Sequence, residues 1–263
     1  MDLGLEGQVA LVTAASRGLG AAAALAFARE GARVAICARN RAPLMETCHR
    51  IADETGVEVL AVPVDVSEPT AAEDLVTTTV DRFGRLDILV TNAGGPPSGS
   101  FLDLDQDDWE QAVQLTLMSA VRLCYAVVPV MQRQGGGSIL AVTSLSVKQP
   151  LDNLMLSNSL RLGVIGLVKS LSNELGPAGI RVNAICPGWT RTERVDELLQ
   201  ARANKSGLTP EEEAVKITAS SPLGRMADPE EFARAAVFLA SPAASYITGV
   251  SLLVDGGQYK GSM

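Results

Sequence analysis

Seven short apolar or β-branched runs alternate with longer segments of helical apolar spacing, and this alternation constrains the chain more than any other feature. The runs are Val9 to Thr13, Arg33 to Cys37, Glu58 to Val62, Leu86 to Thr91, Ser138 to Thr143, Arg181 to Cys186 and Ser251 to Val254. Strand and helix taking turns in this way imply βαβ units and a parallel sheet. The runs show no clean two-residue period, as strands covered by helices on both faces require. The predicted class is therefore α/β, a doubly wound parallel sheet of seven strands with helices on both faces. No Pro/Gly/Ser linker, low-complexity tract or internal repeat divides the 263 residues, so a single domain over 1–263 is expected.

Residues 191–225 differ in texture, with many charges around a turn at Ser206-Gly207 and Pro210. They read as a pair of amphipathic helices inserted after the sixth strand. Loops beyond the carboxyl ends of parallel strands form ligand crevices, so a substrate lid fits this segment. A solvated helical excursion or an oligomer contact fits it equally.

Composition removes several chemistries. One histidine, His49, and four cysteines at 37, 48, 124 and 186 without a CxxC spacing cannot cluster the ligands of a zinc site, so no metal is expected. Any Ser-His-Asp or Cys-His mechanism would have to pass through His49. A net charge of −8 argues against nucleic acid or an anionic membrane as partner. The first residues, Met1-Asp2-Leu3-Gly4-Leu5-Glu6, lack the basic and apolar regions of a secretory leader. The oily stretch Leu115 to Met131 is interrupted by Arg122 and Pro129 and is short of the ~20 residues that span a bilayer. Unpaired cysteines suit a reducing compartment, so a cytoplasmic location is expected.

Directly after the first strand comes Thr13-Ala14-Ala15-Ser16-Arg17-Gly18-Leu19-Gly20, followed by the Ala-rich run Ala21 to Arg29. Glycines at a strand-to-helix turn let the backbone approach a pyrophosphate, which the free N–H groups of the helix end attract. The pattern points to a dinucleotide. Such folds hold a ribose 2′-OH with Asp or Glu about 20 residues on, whereas an arginine there accommodates a 2′-phosphate. The second strand ends Ala38-Arg39-Asn40-Arg41, and Arg17 lies within the turn. Two cations and no carboxylate favour NADP(H); a merely solvated Arg39 is the competing reading.

Together with that turn, Asp65-Val66, Asn92-Ala93-Gly94, Ser144, Pro187-Gly188 and Asp255-Gly256-Gly257, each placed after a strand, resemble the short-chain dehydrogenase/reductase family and its Rossmann-type sheet. The likeness covers about residues 5 to 258 and is greatest to 3-oxoacyl-acyl-carrier-protein reductase-like members. It implies that Thr13, Ser16, Arg17, Gly18, Leu19 and Gly20 contact the cofactor and that Asp65, with Val66 beside it, lies near the adenine. It further implies that Asn92, Ala93 and Gly94 line the groove, and that Pro187, Gly188, Thr190 and Thr192 hold the nicotinamide carboxamide. Ala14 stands where the family usually has glycine, a change tolerable at negative φ.

The family's machinery is a serine after the fifth strand, a tyrosine and a lysine one turn apart on the next helix, and an asparagine from the preceding long helix. Ser144 matches the serine. The tyrosine slot, 13 residues on, holds Ser157; the lysine slot, four further, holds Arg161; Thr116 takes the asparagine's place. An aliphatic hydroxyl is a far weaker acid than a phenol, whose pKa is about 10. Arg161 retains donors for ribose hydroxyls, but a guanidinium is a planar fork that never deprotonates and is no neutral exchange for lysine. Lys148 is the nearest titratable residue in sequence, and is either a substitute acid or an exposed loop lysine. Tyr125 is out of phase with Thr116 on their helix and reads as a packing residue.

Two functions follow. One is an NADPH-dependent oxidoreductase acting on a carbonyl, 3-oxoacyl-like or another ketone, with a modified proton path. The other is an NADP(H)-binding protein without turnover, serving as a sensor or structural partner. The small residues Ser157, Asn158, Ser159 and Gly163, read as a cofactor-facing pattern, favour the first. Long apolar helices over Trp109 to Met131 and Leu154 to Leu175 predict a homodimer or homotetramer. Specificity for the small-molecule substrate is expected in residues 95–99, 148–155 and 191–225.

Overall fold

The computed structural model describes residues 2–262. Its strands are β1 (Val9–Val12), β2 (Arg33–Ala38), β3 (Val59–Pro63), β4 (Ile88–Thr91), β5 (Gly137–Val142), β6 (Ile180–Pro187) and β7 (Ser251–Val254). Among them run α1 (Gly18–Arg29), α2 (Arg41–Thr55), α3 (Ala71–Phe83), α4 (Gln106–Ala112), α5 (Ser119–Gln134), α6 (Met155–Leu175), α7 (Glu193–Ser206), α8 (Pro210–Ala219) and α9 (Pro229–Ala240). All strand pairs are parallel, in the order β3-β2-β1-β4-β5-β6-β7. Each of the seven apolar runs holds a strand, and the chain forms one α/β domain of the Rossmann type.

Alternate side chains of β1 to β6 enter two separate cores. Ala10, Val12, Val34, Ile36 and Val90 pack with α1, α2 and α9; Val9, Leu11, Ala35, Leu89 and Ile139 pack with α3, α5 and α6. Both sets are apolar, which is why the sequence shows no two-residue period. Strand order reverses between β1 and β4, and crevices form at such a switch, beyond the carboxyl ends of the strands.

Gln106–Gln134 is one continuous helical stretch of 29 residues with a π-helical turn over Val113–Met118. It exceeds the Leu115 to Met131 stretch anticipated from sequence, and by length and apolarity alone it could cross a membrane. Here Leu123, Cys124, Val127, Val130 and Met131 are buried in the second core against α3, β4 and β5, so it is a core helix of the sheet.

Residues 191–225 hold α7 and α8. Gly207, at φ 76°, ends α7, and a reciprocal Thr209–Glu212 cap with Pro210 in the first turn starts α8. Val195, Leu199, Ile217 and Met226 form a small third core with Trp189.

Candidate active site

The ends of β1 and β4 are stitched at the switch point. Thr13 Oγ1 donates to the Asn92 carbonyl at 2.6 Å and accepts from the Asn92 N–H at 2.8 Å. Asn92 Nδ2 donates to the Ala14 carbonyl at 3.4 Å. Gly20 lies against this stitch: a Cβ there would sit 2.4 Å from the Ala14 carbonyl oxygen and 2.9 Å from Asn92 Nδ2. Ala14 adopts φ 48°, in the left-handed region. The condition for an easily tolerated methyl, negative φ, is therefore not met, because the turn needs a backbone that an L-residue adopts only at a cost.

The end of α1 is built for an anion. No side chain caps its first turn and no acidic residue lies in it, so its free N–H groups and partial positive charge face the groove. Across from it, Thr190 is buried and its Oγ1 has no partner among the described residues, although it lines the same groove. Gly188 keeps that wall thin, since a Cβ would lie 2.8 Å from the Asp255 Cα. Thr192 caps α7, so its hydroxyl accepts from the Val195 N–H. An uncapped helix end, an orphaned buried hydroxyl and glycine walls fit a bound dinucleotide.

At the β2 and β3 ends, Asp65 is held by Ser67, whose N–H and Oγ donate to it at 2.9 and 2.7 Å. Arg39 is 73% exposed, with Nε 3.8 Å from Asp65. Arg17 pairs with Glu193 on α7.

Beyond β5, Ser144 Oγ accepts from the Ser146 N–H at 3.0 Å and fixes the turn. Ser146 Oγ lies 3.3 Å from Ser157 Oγ. Arg161 Nε donates to Ser157 Oγ at 3.2 Å, and Nη1 donates to the carbonyls of Val142 and Thr143 at 3.2 and 3.1 Å. Burial, then the nearby Arg194 charge, push the Arg161 pKa down to about 10, so it remains a cation at neutral pH. Cys186, bonded to Thr143 Oγ1, is pushed up by burial and stays a neutral thiol. Thr116 sits buried in the π turn, and its Oγ1 has no partner among the described residues.

Ser16, Arg17, Gly18, Leu19, Arg39, Asp65, Val66, Asn92, Ala93, Gly94, Ser144, Ser157, Arg161, Pro187, Gly188, Thr190 and Thr192 line one groove of about 1310 Å³. Thr13 and Gly20 are buried behind it. Lys148 is exposed after the Leu145–Val147 turn and is not among the lining residues, although its charge reaches the Cys186 thiol. Of the four small residues read as cofactor-facing, only Ser157 lines the groove. Asn158 instead clamps the Leu151 backbone, Ser159 is exposed and Gly163 faces Leu117, because residues one, two and six positions on lie on other faces of the helix. Tyr125 is 79% exposed instead of packed. Sequence reasoning passed over Arg194 as a site residue; its place two positions after Thr192, on the first turn of α7, was the available signal.

A family model described as enoyl-(acyl carrier protein) reductase matches residues 13–258. The chain belongs to the short-chain dehydrogenase/reductase family. Within that family it is 39% identical over 256 residues to L-rhamnose 1-dehydrogenase (NAD(P)(+)) of Sphingomonas sp. (strain SKA58), covering 97% of each chain. L-sorbose reductase of Gluconobacter frateurii, solved with NADPH and L-sorbose, matches with TM-score 0.94 at 34% identity over 99% of this chain and 100% of that one. A variant of actinorhodin polyketide ketoreductase with NADPH matches with TM-score 0.92 at 34% identity, over 97% and 98%. This short-chain dehydrogenase/reductase thus shares the architecture of known oxidoreductases along almost its whole length.

Proposed function

We propose that the chain is an NADP(H)-dependent oxidoreductase that reduces a carbonyl, 3-oxoacyl-like or another ketone, with a modified proton-donating site. One observation carries this reading: a single groove runs from the uncapped end of α1 to the Ser144, Ser157 and Arg161 cluster. NADPH-bound relatives of the same architecture support the cofactor. In the proposal the glycine turn, Asn92, Gly94, Pro187, Gly188, Thr190 and Thr192 hold the dinucleotide, and Arg39 with Arg17 meets its 2′-phosphate. When bound, the nicotinamide supplies a hydride to the carbonyl carbon.

The chain's own residues then hold and protonate the oxygen. Ser144 and Ser157 orient it. Because Ser157 Oγ accepts from Arg161 Nε, its own proton is free to point at the substrate and is made more acidic. Ser146, 3.3 Å behind, refills that proton, drawn ultimately from water. Loss of a phenolic acid removes a factor of about 10²–10⁴, part of which the half-buried Arg161 cation restores by steadying negative charge on oxygen. Ser157 is preferred to Lys148 as donor because Lys148 is outside the groove lining.

The proposal extends to α7 and α8 as a substrate lid. Its latches are Arg17–Glu193, Arg194 Nη2 to the Pro96 carbonyl at 2.7 Å, and Lys205 to Asp103 at 2.9 Å. It also includes self-association through the α5 and α6 faces, where Tyr125 and Leu162 are exposed, and residence in the cytoplasm, where four buried free thiols stay reduced. A monomeric mass in solution would refute the association. The central test is NADPH oxidation with a panel of ketones, 3-oxoacyl thioesters and enones. Turnover of a ketone is expected; tight NADPH binding without turnover across the panel would instead establish the non-catalytic, sensor-like reading that the missing tyrosine favours.

A further inference from the structure

Arg161 is a cation without a counterion among the described residues. Its Nε and Nη1 are spent on Ser157 and on main-chain carbonyls, Nη2 donates to nothing among the described residues, and no carboxylate pairs with it. Arg194 lines the same crevice, and the charges of the two arginines feel each other. The acids at that end are already engaged, Glu193 with Arg17 and Glu197 with Arg194. Cys186 offers no negative charge, since burial keeps it a thiol. A charge held partly out of water is costly unless paired, and here the half-buried Arg161 shares one crevice with Arg194, itself paired with Glu197, in a protein whose net charge is −8.

We propose that the substrate carries a carboxylate close to its carbonyl, gripped by Arg161 Nη2 and Arg194, so that the chain acts on short oxo acids in preference to neutral ketones or sugars. The proposal rests on the reductase reading, because Ser157, one 3.2 Å hydrogen bond from Arg161 Nε, is what brings the carbonyl beside the cation. The phosphates of a bound dinucleotide are expected at the α1 end of the groove, which leaves the Arg161 end to an anionic group of the substrate. A carboxylate suits a guanidinium because its two oxygens match the planar fork of donors.

The test uses the NADPH-loaded chain with 2-oxobutyrate and acetoacetate, each against its methyl ester. Steady-state kcat/KM is measured, together with equilibrium binding read from NADPH fluorescence. Acids are expected to be preferred over esters by about ten- to a hundredfold, the range of one or two charge-assisted hydrogen bonds. Arg161→Met should abolish that preference. Arg194→Gln, on a more exposed side chain that is safer for folding, should reduce it several-fold. Equal use and equal binding of acids and esters would overturn the proposal. So would an Arg161→Met variant that weakens NADPH binding while treating acid and ester alike, since the guanidinium would then serve the cofactor. If no ketone turns over but the acids still bind the NADPH complex more tightly than the esters, the reductase reading falls and the anion site stands.

Discussion

At the β1–α1 end of the groove the working groups are main-chain atoms, whereas at the β5–α6 end they are side-chain tips. The first region has almost no freedom. A Cβ at Gly20 would run into the backbone of Ala14 and Ala15, and the Thr13–Asn92 stitch ties the turn to β4, so a change of residue there moves the chain itself. The second region separates frame from chemistry. Asn158 clamps the loop at Leu151 and Ser144 fixes the turn after β5, and neither contact depends on what positions 157 and 161 carry. Ser157 and Arg161, four apart on α6, share one face, and exchanging them removes the Arg161 Nη1 bonds to the Val142 and Thr143 carbonyls while leaving the Ser144 and Asn158 contacts in place. On the proposed reading the chain keeps its cofactor groove and rewrites its proton chemistry, at the positions where its sequence is expected to depart from the family's pattern.

If frame and chemistry are separable, restoring the usual pair should restore the usual rate. Ser157→Tyr with Arg161→Lys is expected to raise kcat toward neutral ketones by about 10²–10⁴, the worth of a positioned general acid. Ser157 is only 8% exposed, so the new ring must reach into the open groove. Steady-state assay of the double variant, with a thermal melt to confirm folding, decides the matter. A gain below about tenfold would break the comparison, since Thr116 or the frame would then also have had to change.

The other end should respond in affinity and leave kcat alone. Arg39 is mostly solvated and only loosely paired with Asp65, which leaves its guanidinium available to a phosphate. Arg39→Asp is expected to weaken NADPH binding about tenfold or more, the scale of a charged hydrogen bond, with NADH held or improved. Fluorescence titration of both cofactors reads this directly. An unchanged NADPH affinity would leave Arg39 as a solvated strand end.

Sequence reasoning reached different depths in the two regions for a physical reason. Apolar runs and the glycine turn are local signals, and they located all seven strands and the crevice. Counting along one helix placed Ser157 and Arg161 correctly on the groove, because fixed spacing on a rigid element sets the facing side. What failed was orientation around the helix and contacts distant in sequence. Asn158, Ser159 and Gly163 lie on other faces of α6, the Thr116 hydroxyl in the π turn has no partner among the described residues, and Arg194 arrived from a helix more than thirty residues further on. Backbone dihedrals were the other blind spot, and Ala14 shows it.

Ala14 gives the smallest effect and a direct measure of how rigid the main-chain end is. Its φ of 48° is enforced from both sides, by Asn92 Nδ2 on its carbonyl and by the Gly20 backbone packed beneath. An L-residue in that region costs about 1–2 kcal/mol. Glycine removes this strain but gives the unfolded chain more freedom, a loss of about 0.4–1 kcal/mol. The difference favours Ala14→Gly by about 0.5–1 kcal/mol, a rise in Tm of about 1–4 °C for a chain of this size. A melting curve with and without NADPH measures it. A fall in Tm would mean that the alanine methyl packs well enough to outweigh its strain, and the rigidity of the first region would then lie in side-chain packing as well as in the backbone.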